Sequence, residues 1–270
     1  MNEKTKAMNE DVALEGVEKR SIGLRHSQHL QSAEVDFVAQ EVPIALAFNG
    51  ESHAVMMASP IDLKDFAYGF SISERIVDNT NDILAIDVRQ AKQGVTINLQ
   101  IKTELMQRLK GKRRQLSGRS GCGICGITDI AAALPTIEPL DDSALPSHQI
   151  IDAAVNTLKQ NQALQDQCGA VHCAALFNAN GELKALREDV GRHNALDKLI
   201  GNQINYFSSD DFIVMSSRAS HELIAKVAIG GLSTLVTISA ATSLAINLAE
   251  KINLNLVGFV RDKRQIIYAS

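Results

Sequence analysis

Two cysteines three positions apart, Cys122 and Cys125, stand in the stretch Ser117-Gly-Arg-Ser-Gly-Cys-Gly-Ile-Cys-Gly126, where four of ten residues are Gly and two are Ser. That composition predicts a mobile, exposed loop. A CxxC pair has three physical uses: two of four zinc ligands, a reversible disulfide, or a nucleophilic thiolate with an assisting partner. Zinc needs two further ligands, and the thiol candidates are Cys168 and Cys173, whose spacing is not that of a zinc knuckle. His172-Cys173 also lies in an expected buried strand. A thioredoxin-like pair would cap a helix after a strand, whereas here glycines flank both thiols. A nucleophile on a flexible arm fits best. From Lys102 to Arg119 the chain holds seven basic residues and one acidic residue, a local balance of +6. Nearby positive charge favours thiolate over thiol and would equally stabilise a persulfide anion. The bland alternative is an ordinary surface loop beside a solvated basic face, but exposed paired thiols invite oxidation. Cys168 and Cys173 read instead as small buried residues.

A second constellation runs from Arg187 to Lys198, with seven ionisable residues in twelve. A strand is expected to end and a helix to begin at Gly191, which puts Arg192, His193 and Asn194 in a first turn with free amides, suited to an anion or polar ligand. Glu188 and Lys198 read as members of a solvated turn stitched by salt bridges. His193 is the better functional candidate, because imidazole exchanges a proton near neutral pH without a large shift. The same reasoning marks Ser216, Arg218, Ser220 and Glu222 at the next strand-to-helix junction, and Arg261, Lys263 and Arg264 at the last.

The elements that must hold these residues can be read from periodicity. Ile44–Phe48 and His53–Met57 flank Asn49-Gly50, a strong hairpin signal. Leu63, Phe66, Ala67 and Phe70 fall at helical spacing and predict a helix over 61–76. Strands over 83–88 and 95–101 complete an N-terminal α+β lobe. Beyond 146 come a helix near 148–162, strands near 170–177 and 182–187, a helix near 191–200, then short strands 212–215, 235–238 and 255–260 with helices 220–229 and 242–252 between them. Such alternation predicts a largely parallel sheet with right-handed crossovers. Ligands in open α/β sheets bind beyond the carboxyl ends of strands, so the loops after Met215 and Val260 are candidate site edges. The expected division is a loose tail over 1–30, an α+β lobe over 31–110, a basic Gly-rich loop and linker over 111–146, and an α/β lobe over 147–270.

With 270 residues, 45% hydrophobic and 21% charged, the chain can bury a core without disulfides. A net charge of −4, with 4% aromatics and no Trp, argues against a dedicated nucleic-acid binder. The first thirty residues hold no apolar signal region, so a cytoplasmic protein with reduced thiols is expected. Val227–Ala249 is uncharged over a membrane-spanning length, but nine of its residues are Gly, Ser, Thr or Asn. A buried strand between two helices explains it better than a membrane helix.

Several of these segments together resemble the FdhD/NarQ family of formate dehydrogenase accessory sulfurtransferases. They are 117–126, Arg-Glu-Asp-Val-Gly-Arg-His-Asn-Ala at 187–195, Ser-Ser-Arg-Ala-Ser-His-Glu at 216–222, Ser-Ala-Ala-Thr-Ser-Leu-Ala at 239–245 and Leu-Val-Gly-Phe-Val-Arg at 256–261. The likeness implies an α/β protein, α+β overall, with a cytidine-deaminase-like C-terminal lobe. The deaminase zinc pattern, His-x-Glu with a later Pro-Cys-x-x-Cys, is absent, so no metal ion of the protein's own is expected. It further implies that Cys122 accepts sulfur as a persulfide from a cysteine desulfurase, with Cys125 assisting. The sulfur then passes to the molybdenum bis-guanine-dinucleotide cofactor of formate dehydrogenase, bound as a substrate. Phe259, Val260, Arg261, Asp262, Lys263 and Arg264 would contact that cofactor, with Arg192, His193, Asn194, Ser216 and Arg218. Family members are usually homodimers. A delivery module without sulfur chemistry and a zinc-binding regulator are the alternatives.

Overall fold

The computed structural model describes residues 15–26, 29–112, 136–261 and 263–270. It is a mixed α/β structure with two main sheets and a two-stranded arm. The arm pairs β1 (Val17–His26) with β2 (His29–Ala39) in antiparallel register. Residues 17–26 were expected in a loose tail; they form a strand because β2 pairs with them from Val17 to His26, apart from an irregularity between Gly23 and Arg25. No local signal announces this pairing.

The first main sheet has the order β4-β3-β6-β5, formed by β3 (Val42–Phe48), β4 (Glu51–Ala58), β5 (Ile83–Ala91) and β6 (Gly94–Ile101). Asn49 and Gly50 take φ of 49° and 80°, the two positive values that a tight primed hairpin turn demands. Asn49 also accepts from the Ile101 amide at 2.8 Å and donates to its carbonyl at 3.0 Å, tying the hairpin to β6. Helix α1 (Leu63–Ser73) lays Phe66, Ala67 and Phe70 on this sheet against Ile44, Leu46 and Ile97, all buried. Helix α2 (Met106–Lys112) follows β6.

The second sheet has the order β12-β11-β10-β9-β7-β8. Its strands are β7 (His172–Phe177), β8 (Leu183–Asp189), β9 (Phe212–Met215), β10 (Thr234–Thr237), β11 (Asn255–Arg261) and β12 (Arg264–Ala269). Helix α3 (His148–Gln160) covers one face through Ile151, Ala154, Val155 and Leu158. The other face is covered by α5 (Arg192–Gln203), α6 (His221–Ile229) and α7 (Ser243–Lys251), while the short α4 (Ala163–Cys168) packs toward the arm. Strands buried on both faces read as apolar runs, as Phe212–Met215 does. The sheet is less parallel than the alternation of elements predicts. Only β9, β10 and β11 run parallel; β7 is antiparallel to β8 and β9, and β12 to β11. The short turn over 178–182 returns β8 directly beside β7 and leaves no crossover.

The uncharged stretch 227–249 resolves into the end of α6, the buried β10 and the start of α7. No helix among the described residues is long and apolar enough to cross a membrane.

Helices α1 and α5 hold the two sheets together at a glycine crossing. A Cβ on Gly69 would lie 1.7 Å from the Asp197 carbonyl oxygen, and one on Gly201 would lie 1.9 Å from that of Asp65. Backbones approach this closely only where neither residue carries a side chain.

Candidate functional site

Because β9, β10 and β11 are parallel and β7 opposes β9, one edge of the second sheet collects the end of β8, the start of β7 and the loops after Met215, Thr237 and Arg261. Among the described residues this edge gathers the predicted Arg192, His193, Asn194, Ser216, Arg218, Phe259, Arg261, Lys263 and Arg264. Cys122, Cys125 and Asp262 lie outside the described residues.

Much of the 187–198 constellation is occupied by the scaffold. Asp189, fully buried, accepts from the Ser59 amide (3.0 Å), the Gly191 amide (2.8 Å) and Asn194 Nδ2 (3.0 Å), and pairs with Lys198 Nζ at 2.6 Å. Lys198 also donates to the Ser59 carbonyl, and Asn194 Nδ2 to the Met57 carbonyl. Glu188 accepts from the amides of Leu164 and Gln165 at the start of α4, and Arg187 grips Asp65 on α1. The expectation that Glu188 and Lys198 sit in a solvated turn is therefore wrong: they are 5% and 0% exposed. Their side chains point at the other sheet and at α4, contacts that lie far away in sequence.

A second buried cluster was not anticipated. Lys226 Nζ donates to both Asp197 oxygens at 3.0 Å, to Glu74 at 2.9 Å and to Ser73 Oγ at 2.8 Å; Ser73 Oγ donates to Asp197 at 2.6 Å. Burial opposes its charge, but the Asp197 and Glu74 carboxylates outweigh burial and hold the ammonium pKa above its ordinary value. The only sequence signal was a Lys in an apolar helix face between Ala225 and Val227.

At the first turn of α5, with Asp189 and Asn194 committed to the scaffold, Arg192 and His193 stay uncommitted. His193 is buried, and desolvation, reinforced by the Lys226 and Arg192 charges, pulls its pKa down to about 4. It is neutral at physiological pH. His172, at the start of β7, is also lowered by burial and by Arg192. Ser216 is part of the sheet: its Oγ accepts from the Cys173 amide at 2.9 Å and its amide donates to the Cys173 carbonyl at 3.0 Å. Arg218 is exposed beyond it. Cys173 is fully buried, and burial keeps its thiol well above the ordinary pKa. Cys168 is only half-buried, less than expected. Among the described residues no three His, Cys, Asp or Glu side chains gather as a metal site.

The β11–β12 hairpin is the cationic end of the same edge. Phe259 sits at φ 57° and Lys263 at φ 61°. The Phe259 ring carries the Arg261 guanidinium 4.1 Å from its centroid and that of Arg264 at 4.9 Å. Before it, Gly258 admits no side chain: a Cβ would meet the Tyr268 ring at 2.8 Å and Thr237 Oγ1 at 3.0 Å. Val260, predicted among the cofactor contacts, is 1% exposed and packs in the core with Ile151 and Val257. The left-handed Phe259 and the register shift between Gly258 and Arg261 return Val260 to the face of Val257, while Arg261 is exposed. The hairpin therefore offers two guanidiniums held by one ring, an arrangement suited to phosphate oxygens.

The chain is 44% identical over 238 residues to a sulfur carrier protein FdhD of Cupriavidus necator, covering 87% of this chain and 82% of that one. It is 41% identical to a sulfur carrier protein FdhD of Acinetobacter baylyi, covering 100% of this chain and 99% of the relative. A crystal structure assigned to a formate dehydrogenase accessory protein of Desulfotalea psychrophila superposes with a TM-score of 0.72 at 23% identity, over 94% of this chain and 97% of that chain. This last likeness concerns the fold alone. The FdhD/NarQ family model matches residues 39–270, and with relatives this similar over most of the chain, the protein belongs to the FdhD/NarQ family.

Proposed function

We propose that this chain carries sulfur for the maturation of formate dehydrogenase. The reading is carried by the 41% identity to a sulfur carrier protein along the whole chain, together with a CxxC pair beside a +6 segment. In the first step the Cys122 thiolate attacks the terminal sulfur of a persulfide on a cysteine desulfurase. The S–S bond of the donor breaks, its thiolate leaves, and Cys122 holds the new persulfide, with Cys125 assisting. No net oxidation occurs in this exchange. The recipient is the molybdenum bis-guanine-dinucleotide cofactor, bound as a substrate. Its phosphates suit the Arg261 and Arg264 guanidiniums.

Incubation with a cysteine desulfurase and cysteine, followed by peptide mass spectrometry, should place an added sulfur on Cys122. A mass gain on neither Cys122 nor Cys125 would overturn sulfur carriage. Restored formate dehydrogenase activity in a Cys122→Ala strain would favour a delivery module that binds the cofactor without sulfur chemistry.

A further inference from the structure

The start of α5 holds three buried polar atoms with no hydrogen-bond partner: Arg192 Nε, His193 Nε2 and Asn194 Oδ1. Unsatisfied buried groups are uncommon and each calls for a physical account. Asn194 is fixed through its Nδ2 to Met57 and Asp189, so its free oxygen follows from a scaffold role. His193 has no such excuse. It is 6% exposed, and a side chain at the second helical position leans back over the N-terminal turn. That turn has no side-chain cap, because its N-cap is Gly191. The first turn of α6, capped by no side chain either, is close enough for its Glu222 to act electrostatically on His193. The 12-residue α5 therefore presents amides, a guanidinium nitrogen and a neutral imidazole nitrogen around one uncapped helix start.

Charges face this place from several sides. Arg192 from α5 and Lys226 from α6 are positive; Glu222 from α6 and Glu74 at the end of α1 are negative. Glu74 is paired with Lys226, and the Glu222 carboxylate is lowered by its own backbone amide and by Ser220. Among the described ion pairs Arg192 has no carboxylate partner and Glu222 no cation partner, so the two positive and two negative charges around the place balance. With the fixed charges balanced, a dianion such as phosphate would add two negative charges near Glu222 and lose strong hydration, whereas a sulfur monoanion adds one, is weakly hydrated and loses less.

We propose that the start of α5 is a binding site for a small sulfur monoanion, hydrosulfide or the terminal sulfur of a persulfide, held by the first-turn amides and Arg192 with the unpartnered His193 Nε2 as a hydrogen-bond donor. This deepens the sulfur-carrying reading and rests on it for the choice of sulfur.

The test uses the full chain with Cys122→Ser and Cys125→Ser, so that no persulfide can form, and with its histidine rings isotope-labelled. His193→Gln identifies the His193 resonance, and unchanged signals from the other histidines confirm that the variant folds. Sodium hydrosulfide at mildly alkaline pH should shift the His193 ring nitrogens saturably, while sodium phosphate at equal ionic strength leaves them in place. In His193→Gln the hydrosulfide affinity, read from His172 and His221, should fall about tenfold, as for one lost hydrogen bond to a charged partner. A His193 signal silent to hydrosulfide overturns the site; an equal response to phosphate overturns its assignment to sulfur. Persulfide found on Cys122 with His193 silent would sink this inference and leave sulfur carriage standing. Hydrosulfide binding without any sulfur on Cys122 or Cys125 would support the site and sink carriage.

Discussion

Two groups of charges, the buried cluster between the sheets and the cationic hairpin after β11, look alike in sequence and behave in opposite ways. Asp197, Lys198, Asp189 and Lys226 are all less than 10% exposed, and each is hydrogen-bonded or paired across the junction of the two sheets. Arg261 and Arg264 are exposed, and both guanidiniums lie over the Phe259 ring. Buried charges are costly unless every partner is present, so they fix geometry and leave nothing for a ligand. Exposed cations held by an aromatic ring cost little and stay available. What separates scaffold from site here is therefore satisfaction of the group, not its chemical type.

The largest test of that contrast is Asp197→Ala. Removing the carboxylate strands the Lys226 ammonium in a buried place with only Glu74 and Ser73 to face it. Breaking a buried pair in this way should cost about 3–5 kcal/mol of stability, measured by denaturant unfolding. A loss below about 1 kcal/mol would show that Lys226 reaches water easily and that the cluster is no clamp.

His193 belongs to neither group, and its pH dependence places it. Its folded pKa of about 4 lies below the unfolded value of 6.5, so the unfolded chain binds the proton first. The folded protein is thus fully favoured above about pH 6.5, and stability drains as pH falls toward 4. The whole window is worth about 3 kcal/mol. The wild-type chain should lose that much more stability than His193→Gln between those limits. Parallel curves for the two proteins would mean that the imidazole is protonated in the folded state and that the site is wetter than the structure shows.

Some of this was legible in the residues and some was not, for physical reasons. Asn49-Gly50 and the apolar run Phe212–Met215 announce their structures because turn chemistry and double-sided burial are local or nearly local constraints. The edge position of Arg192 and Arg218 followed from strand-to-helix junctions; Arg261, expected at a last such junction, stands instead at the turn between β11 and the antiparallel β12. The clamp did not, because Ser59 meets Asp189 across 130 residues and Ser73 meets Lys226 across 153. A charged residue with a partner that distant reads as a solvated one, which is how Lys198 was misassigned. The inward turn of Val260 was missed for a simpler reason: a motif names a segment, whereas the break in β11 at the left-handed Phe259 decides which of its side chains face out.

The smallest expected effect on stability, and the clearest on binding, is at the hairpin. Replacing Arg261 and Arg264 together by Ala removes two cation–π contacts at exposed positions, a loss of no more than about 1 kcal/mol. Guanosine diphosphate binding to the full chain, followed by calorimetry, should weaken about tenfold or more, because charge-assisted bonds to phosphate are the stronger class. The salt dependence of binding should flatten at the same time, since fewer cations then neutralise the phosphates. If the double variant instead unfolded with the penalty of the buried clamp, these arginines would be scaffold too, and the line drawn between the two groups of charge would fall elsewhere. If it stayed folded and bound the nucleotide as before, the hairpin would be solvated surface, and exposed cations on a ring would not mark a site.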